Sequence, residues 1–213
     1  MKFPELISLV GDEPVFETGL LLVGEVNPAQ IRKQLSLWVQ SGRILQLRRG
    51  LYALAPPYQK VKPHPFLIAN RLRLGTYVSL HSALAHHNLI PEAVPVVTSV
   101  GHVRPGLIET PLGTFFFRHI KTDLLWGYDD LLIARSQQAF IASAEKALLD
   151  LVYLHPGADI EPYLLGLRLQ HLEELDLPRL RRFAQRSSSP KLIRAADVLA
   201  EMSHREQLAY TEL

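Results

Sequence analysis

Cysteine is absent from all 213 residues. This excludes disulfides, thiolate zinc sites and thiol nucleophiles, and it suits a reducing compartment, so a cytoplasmic location is expected. Long apolar runs are missing as well: none approaches the roughly 18 residues that a bilayer-spanning helix requires. The opening MKFPELISLV carries one Lys, an early Glu and a Pro, a poor match to a signal peptide, and no membrane partner is expected. No Gly-rich phosphate loop occurs, which argues against an NTPase or a kinase. The most telling absence is of negative charge. No Asp or Glu occurs from Val26 to Pro91, whereas Arg32, Lys33, Arg43, Arg48, Arg49, Lys60, Lys62, Arg71 and Arg73 all lie within that stretch. Glu5, Asp12, Glu13, Glu17 and Glu25 precede it and hide the imbalance in a net charge of +2. A long cation-only stretch points to a polyanionic partner, or to a surface neutralised by acids from elsewhere in the fold.

The patterns that are present begin with FPELISLV, where Leu6, Leu9 and Val10 recur at helical spacing behind Pro4 and Gly11 is the stop. PVFET reads as extended, and Thr18 is placed to cap a short helix over GLLLV. NPAQIRKQLSLWVQSG has the sharpest boundaries in the chain: Asn27 as N-cap, Pro28 in the first turn, Gly42 as C-cap. Ile31, Leu35 and Trp38 share one face. At about 100° per residue, Ala29, Arg32, Lys33, Ser36 and Gln40 lie opposite, with Gln30 beside them. Such a face, small residues among long polar ones, suits a helix entering a major groove. It also suits an ordinary amphipathic surface helix. ILQLRRGLYAL then reads as two strands, residues 43–48 and 51–54, joined by a three-residue RRG turn with Gly50 left-handed. Three helical segments followed by a hairpin predict a winged helix-turn-helix, with Arg43, Arg48 and Arg49 on a wing beside phosphates or a narrow minor groove. The candidate DNA-binding set is therefore Ala29, Gln30, Arg32, Lys33, Ser36, Gln40, Arg43, Arg48 and Arg49.

APPYQKVKPHP is Pro-rich, basic and aperiodic, the pattern of a semi-rigid linker. The expected organisation is α+β: a winged helix over residues 1–57, a linker over 58–65, and a mixed α/β domain with a helical tail over 66–213. In that second part PFLIANRLRL is helical in pattern. SLHSALAHHN is a short helix with Ser79 as cap and Asn88 as a left-handed stop. VPVVTSV is a buried-type strand, LIETPLGTFFFRHI a hairpin turning at residues 111–113, and LLIARSQQAFI two further strands. SAEKALLDLVYL is a helix with Ala144, Ala147, Leu148, Leu151 and Val152 inward. Asp176–Pro178 and Ser189–Pro190 open two tail helices. Arg168, Arg179, Arg181, Arg182, Arg186, Lys191 and Arg194 make that tail basic, suited to a second DNA contact or to an acidic partner.

Four strings, RILQLRRGLYAL, YVSLHSALAHHNLIPEAVP, GTFFFRHI and IASAEKALLDLVYL, resemble the AbiEi family of winged-helix antitoxins and regulators of type IV toxin–antitoxin systems. The likeness runs from the hairpin to the tail. It implies an N-terminal winged helix that binds the protein's own promoter as double-stranded DNA and represses its operon. It also implies a C-terminal domain that opposes a nucleotidyltransferase-like toxin encoded nearby. Asn88 stands where the family commonly has Gly, and Ser143 where it commonly has Pro. Both substitutions preserve local geometry, because Asn tolerates a left-handed conformation and Ser caps a helix.

Enzymatic readings fare worse. His81, His86, His87 and His119 do not fall at a zinc-motif spacing. Ser79, Ser82, His81 and Asp150 assemble into a triad only on paper, without a nucleophile elbow. Glu145 and Asp150 are five apart, so they do not share a helix face as a magnesium-dependent nuclease would need. AEKALLD reads instead as a surface helix with an acid near its start. No catalytic residue, metal or cofactor is expected. Beside the antitoxin reading stand a plain winged-helix regulator without a toxin, a protein-binding module and a metal-dependent nuclease.

Overall fold

The computed structural model describes residues 1–23, 27–92 and 94–211, with side chains to 206. The chain is a mixed α+β fold. Helix α1 (Phe3–Val10) carries Pro4 in its first turn, and the Glu5 carboxylate accepts from the Lys2 N–H at 2.9 Å; Gly11 closes it at φ +60°. A short strand β1 (Phe16–Glu17) leads into a 3-10 turn, Thr18–Leu21. Thr18 is the first residue of that turn and not its cap; Glu17 holds the cap position, and no side chain caps the turn. Helix α2 (Pro28–Gln40) begins where Asn27 Oδ1 accepts from the N–H groups of Ala29 at 2.9 Å and Gln30 at 3.4 Å, satisfying donors that a helix start leaves free. Ser41 ends it, and Gly42 turns the chain out at φ +67°. Strands β2 (Ile44–Arg48) and β3 (Leu51–Leu54) form a hairpin, and β1 pairs with the other edge of β3.

The hairpin differs from the three-residue turn expected. Arg48 pairs with Leu51 across a two-residue loop, Arg49–Gly50, with Gly50 at φ +85°. The odd residue lies inside the strand: the register shifts between Gln46 and Arg48, so Leu47 is a bulge. A bulge re-aims the side chains beside it. Here Leu47 and Arg48 both turn with Leu51, away from Ile44 and Tyr52 on the opposite face.

This first part has its own core of Phe3, Leu6, Ile31, Leu35, Trp38, Ile44, Tyr52 and Leu54. Yet Val15, Leu47, Leu51 and Ala53 belong to the larger core of the rest of the chain, so β3 is buried on both faces. The stretch expected to be a linker is pinned at both ends. Tyr58 sits edge-on to Phe3 at 4.9 Å, and Lys60 pairs with Asp12 at 3.2 Å. The Gln137 side chain accepts from the His64 N–H at 2.8 Å and donates to the Lys62 carbonyl at 3.0 Å.

Beyond it, β4 (Thr76–Val78), β5 (Val96–Gly101), β6 (Gly106–Thr110), β7 (Gly113–His119), β8 (Tyr128–Ala134) and β9 (Gln137–Ala142) form a six-stranded mixed sheet in the order β6-β7-β5-β4-β9-β8. The sheet is packed by α3 (Pro65–Leu72), α4 (Leu80–His86) and α5 (Ala144–Leu154), and α6 (Glu161–Gly166), α7 (Leu177–Arg186) and α8 (Pro190–Thr211) follow. Asn88 adopts φ +58° as expected, Ser143 Oγ accepts from the Lys146 N–H at 3.3 Å, and Asp176 Oδ1 accepts from the Arg179 N–H at 2.8 Å. Helix α5 is not the surface helix expected. It lies between α4, α7 and α8, and every residue from Glu145 to Val152 is buried. Among the described residues no helix is long and apolar enough to cross a membrane.

Candidate nucleic-acid interface

Helix α2 buries Ile31, Leu35 and Trp38 and leaves Ala29, Gln30, Arg32, Lys33, Ser36 and Gln40 exposed along one face. The division follows from the apolar spacing, since only that stripe can reach α1 and the hairpin. Ser36 Oγ donates to the Arg32 carbonyl at 3.0 Å. Leu37, also exposed, adds an apolar element to this surface that charge-based reasoning passed over. Arg43, exposed at the start of the hairpin, holds its guanidinium 5.2 Å from the centre of the Phe3 ring.

The two arginines of the hairpin are not equivalent. Arg49 is exposed in the loop. Arg48 folds back onto the second part of the chain: its Nε and a terminal nitrogen donate to the Arg71 carbonyl at 3.3 and 3.1 Å, and Glu17 lies 3.8 Å away. Of the nine cations in the acid-free stretch, Arg48 and Lys60 meet carboxylates. The other seven have none within 4 Å among the described residues. Arg73 is used differently, over the Phe117 ring at 4.9 Å with a bond to the Arg104 carbonyl. Of the exposed cations with no such partner, Arg32 and Lys33 lie on α2 and Arg49 in the hairpin loop, while Lys62 and Arg71 lie beyond the hairpin.

Most of the tail cations meet partners within the chain. Lys191 Nζ donates to the carbonyls of Val152 at 2.6 Å and His155 at 2.5 Å, closing the end of α5. Arg194 pairs with Asp159 at 2.6 Å and Arg168 with Glu92 at 3.6 Å. Arg186 covers the Trp126 ring at 4.9 Å, and Arg179 lies 3.9 Å from Glu145. Arg181 and Arg182 stay exposed.

The groups weighed as catalytic are tied up elsewhere. Asp150 is buried and paired with Lys146, and its Oδ2 accepts from Tyr77 at 3.0 Å and Ser79 at 2.8 Å. Ser79 therefore spends its hydroxyl on Asp150 and caps nothing. Burial pushes the Asp150 carboxyl up, against the pull of Lys146 and the two hydroxyls; burial likewise pushes the Tyr77 phenol well up. Lys146 also lies 4.6 Å from the Trp126 ring. The i, i+4 spacing of Lys146 and Asp150 inside an apolar helix was the available signal for this network. Ser82 accepts from the Thr98 N–H at 2.8 Å and donates to the Val96 carbonyl. His87 contacts the Ala142 carbonyl at 2.8 Å, while His119 lies beside His102. Burial lowers the pKa of His81 and His86. Among the described residues, three metal-ligand-type side chains come within 4.8 Å of one another only at His171, Glu173 and Glu174, all exposed.

No protein-family model matches the chain, and no curated protein matches it. Among solved structures it is similar to the crystal structure of the RV2827C protein from Mycobacterium tuberculosis, with a TM-score of 0.51 and 17% identity over 92% of this chain and 80% of that one, a likeness of fold.

Proposed function

We propose that this protein binds duplex DNA through α2 and the hairpin, represses transcription from its own promoter, and serves as the antitoxin of a type IV toxin–antitoxin pair. The observation that carries the reading is the exposed α2 face of Ala29, Gln30, Arg32, Lys33, Ser36 and Gln40, which contains no acid, with Arg43 and Arg49 exposed on the hairpin that follows. The order helix, short strand, 3-10 turn, helix, hairpin supports the winged-helix reading. In that arrangement α2 is the reading helix and the hairpin the wing. Arg32 and Lys33 reach base edges or phosphates, the small Ala29 and Ser36 allow close approach, and Arg49 meets the backbone beside the groove. The antitoxin half of the reading rests on the resemblance of the four sequence strings to the AbiEi family. A nucleotidyltransferase-like toxin is its proposed partner, and the protein itself performs no catalysis.

The test is binding of the full chain to a labelled duplex from its own promoter, against a scrambled duplex at fixed salt. Replacing Arg32 or Lys33 by Ala is expected to weaken promoter binding by about 1–3 kcal/mol where a base contact is lost, and to weaken both duplexes alike where a phosphate contact is lost. Unchanged affinity in both variants, with the fold intact, overturns α2 as the reader. Co-expression with the neighbouring open reading frame tests the antitoxin half: rescue of growth supports it, and an inert neighbour leaves a plain regulator.

A further inference from the structure

Leu37 is 53% exposed on the outer face of α2, a large apolar side chain among polar ones. At about 100° per residue it points about 120° away from Ile31, the middle of the buried stripe of Trp38, Ile31 and Leu35, so it does not reach the core. A single exposed leucine is ordinary on a protein surface. This one is set apart by its neighbours. Gln30, Lys33, Leu37 and Gln40 follow one another at spacings of three and four residues, so they form one line along the helix, and all four are exposed. Arg32 and Lys33, on the same outer face, meet no carboxylate within 4 Å among the described residues. Leu37 is thus an apolar spot between two amides, on a face whose charge is positive.

An occupant that matches this line is anionic around an apolar group. A second copy meeting it with its own α2 face sets cation against cation, which disfavours that contact. The major groove of duplex DNA meets both requirements. Phosphates border it, and the thymine 5-methyl is the apolar group that base edges present there. Gln side chains pair with adenine N6 and N7, so amides on either side of Leu37 suit the same A·T pairs that carry the methyl. We infer that Leu37 is a specificity-determining residue that packs against the 5-methyl of a thymine in the major groove and biases the protein toward an A·T pair at that position. The inference rests on α2 being the reading helix. It requires α2 to lie along the groove, so that its third turn reaches bases as well as its first, as in some helix-turn-helix variants. It adds to that reading a base contact that positive charge alone does not supply.

The experiment is a titration of the full chain against promoter duplexes in which each thymine in turn is replaced by uracil. That exchange removes the methyl and keeps every hydrogen-bonding group. For the wild type, uracil at the contacted position is expected to weaken binding about fourfold, the worth of one methyl group taken out of water. Leu37→Ala is expected to weaken binding to the thymine duplex by a similar factor, with salt slope and circular dichroism unchanged, and to be indifferent to uracil at that position. Leu37→Met keeps an apolar tip and is expected to keep the uracil penalty. Promoter binding with no penalty at any thymine overturns the inference, and the α2 reading survives that result where Arg32→Ala or Lys33→Ala still weakens binding. A penalty that persists in full in Leu37→Ala overturns it as well, since another group then reads the methyl. Unaltered promoter affinity in Leu37→Ala, with a loss of self-association in sedimentation, assigns the side chain to a protein contact and also overturns it. A wild type that binds promoter and scrambled duplexes alike removes the reading on which the inference rests, and the inference with it.

Discussion

Lys146 and Asp150, one helical turn apart on α5, form an ion pair in which both side chains are almost wholly buried, 2% and 1% exposed. Asp150 is completed by the hydroxyls of Tyr77 and Ser79, which come from β4 and the residue after it. The network ties α5 to the sheet, and it leaves each charge dependent on its partner. Removing one partner of a buried pair strands the other in a low-dielectric interior. Asp150→Ala is expected to lose about 3–5 kcal/mol, and Lys146→Met a comparable amount. The double change Lys146→Met/Asp150→Leu is expected to recover most of that loss. Urea unfolding of the three variants measures this, and additive losses in the double variant would contradict a coupled pair.

The two hairpin arginines make separable contributions. Arg49 is exposed in the loop, and on the DNA reading each phosphate contact contributes about −0.9 to the slope of log K against log salt. Arg49→Ala is expected to reduce that slope by about one such contact. Arg48 is held on the Arg71 carbonyl, so Arg48→Ala is expected to leave the slope nearly unchanged and to cost about 1 kcal/mol of stability, discounted for partial exposure. Salt titrations of promoter binding, paired with urea unfolding, check both. Equal slopes for wild type and Arg49→Ala would mean the loop never reaches DNA.

His64 is expected to make stability fall with pH below the ordinary histidine range. Its Nδ1 accepts from the Phe66 N–H at 3.1 Å at the start of α3, which only the unprotonated nitrogen can do. Burial lowers its pKa below the usual histidine value of 6.5. The unfolded chain then binds the proton more readily than the folded one. The contribution is therefore complete above the ordinary pKa and is lost as pH falls through the lowered one. Denaturant midpoints between pH 8 and 5 are expected to fall more steeply for wild type than for His64→Asn, which keeps a cap without the titration. Parallel curves would show that His64 does not contribute.

Cutting the chain at residue 57 is expected to leave a weakened fragment. Leu47, Leu51 and Val15 are buried in the larger core, and exposing each forfeits about 1.5–3 kcal/mol, which together rivals the 5–15 kcal/mol that holds an ordinary domain. Fragment 1–57 is expected to unfold at a lower urea concentration than the full chain or to self-associate. Changing Leu47 and Leu51 to Thr in the fragment relieves the association. A fragment as stable as the full chain would show that β3 needs only one covered face.

The sequence by itself determined what depends on neighbours within a few residues. Asn27–Pro28, Ser143, Asp176–Pro178 and Asn88 mark helix ends through hydrogen bonds and dihedral preferences local to the chain, and all lie where those preferences put them. The apolar stripe of α2 likewise fixed which residues face outward, and with them most of the candidate interface. Tertiary structure decided the rest. The bulge at Leu47 breaks the two-residue alternation by one, and nothing in ILQLRRG marks which residue is extra; only the need to bury Leu47 and Leu51 against the larger core selects it. That shift turned Arg48 from a loop-tip cation into a contact with Arg71. AEKALLD reads as an exposed helix because charges are costly to bury, and it takes Tyr77 and Ser79, some seventy residues away, to join Lys146 in offsetting the cost for Asp150. The same long-range pairing set the strand order and left β8 at the edge, since strand neighbours are chosen by burial across the whole sheet and not by any short stretch of sequence.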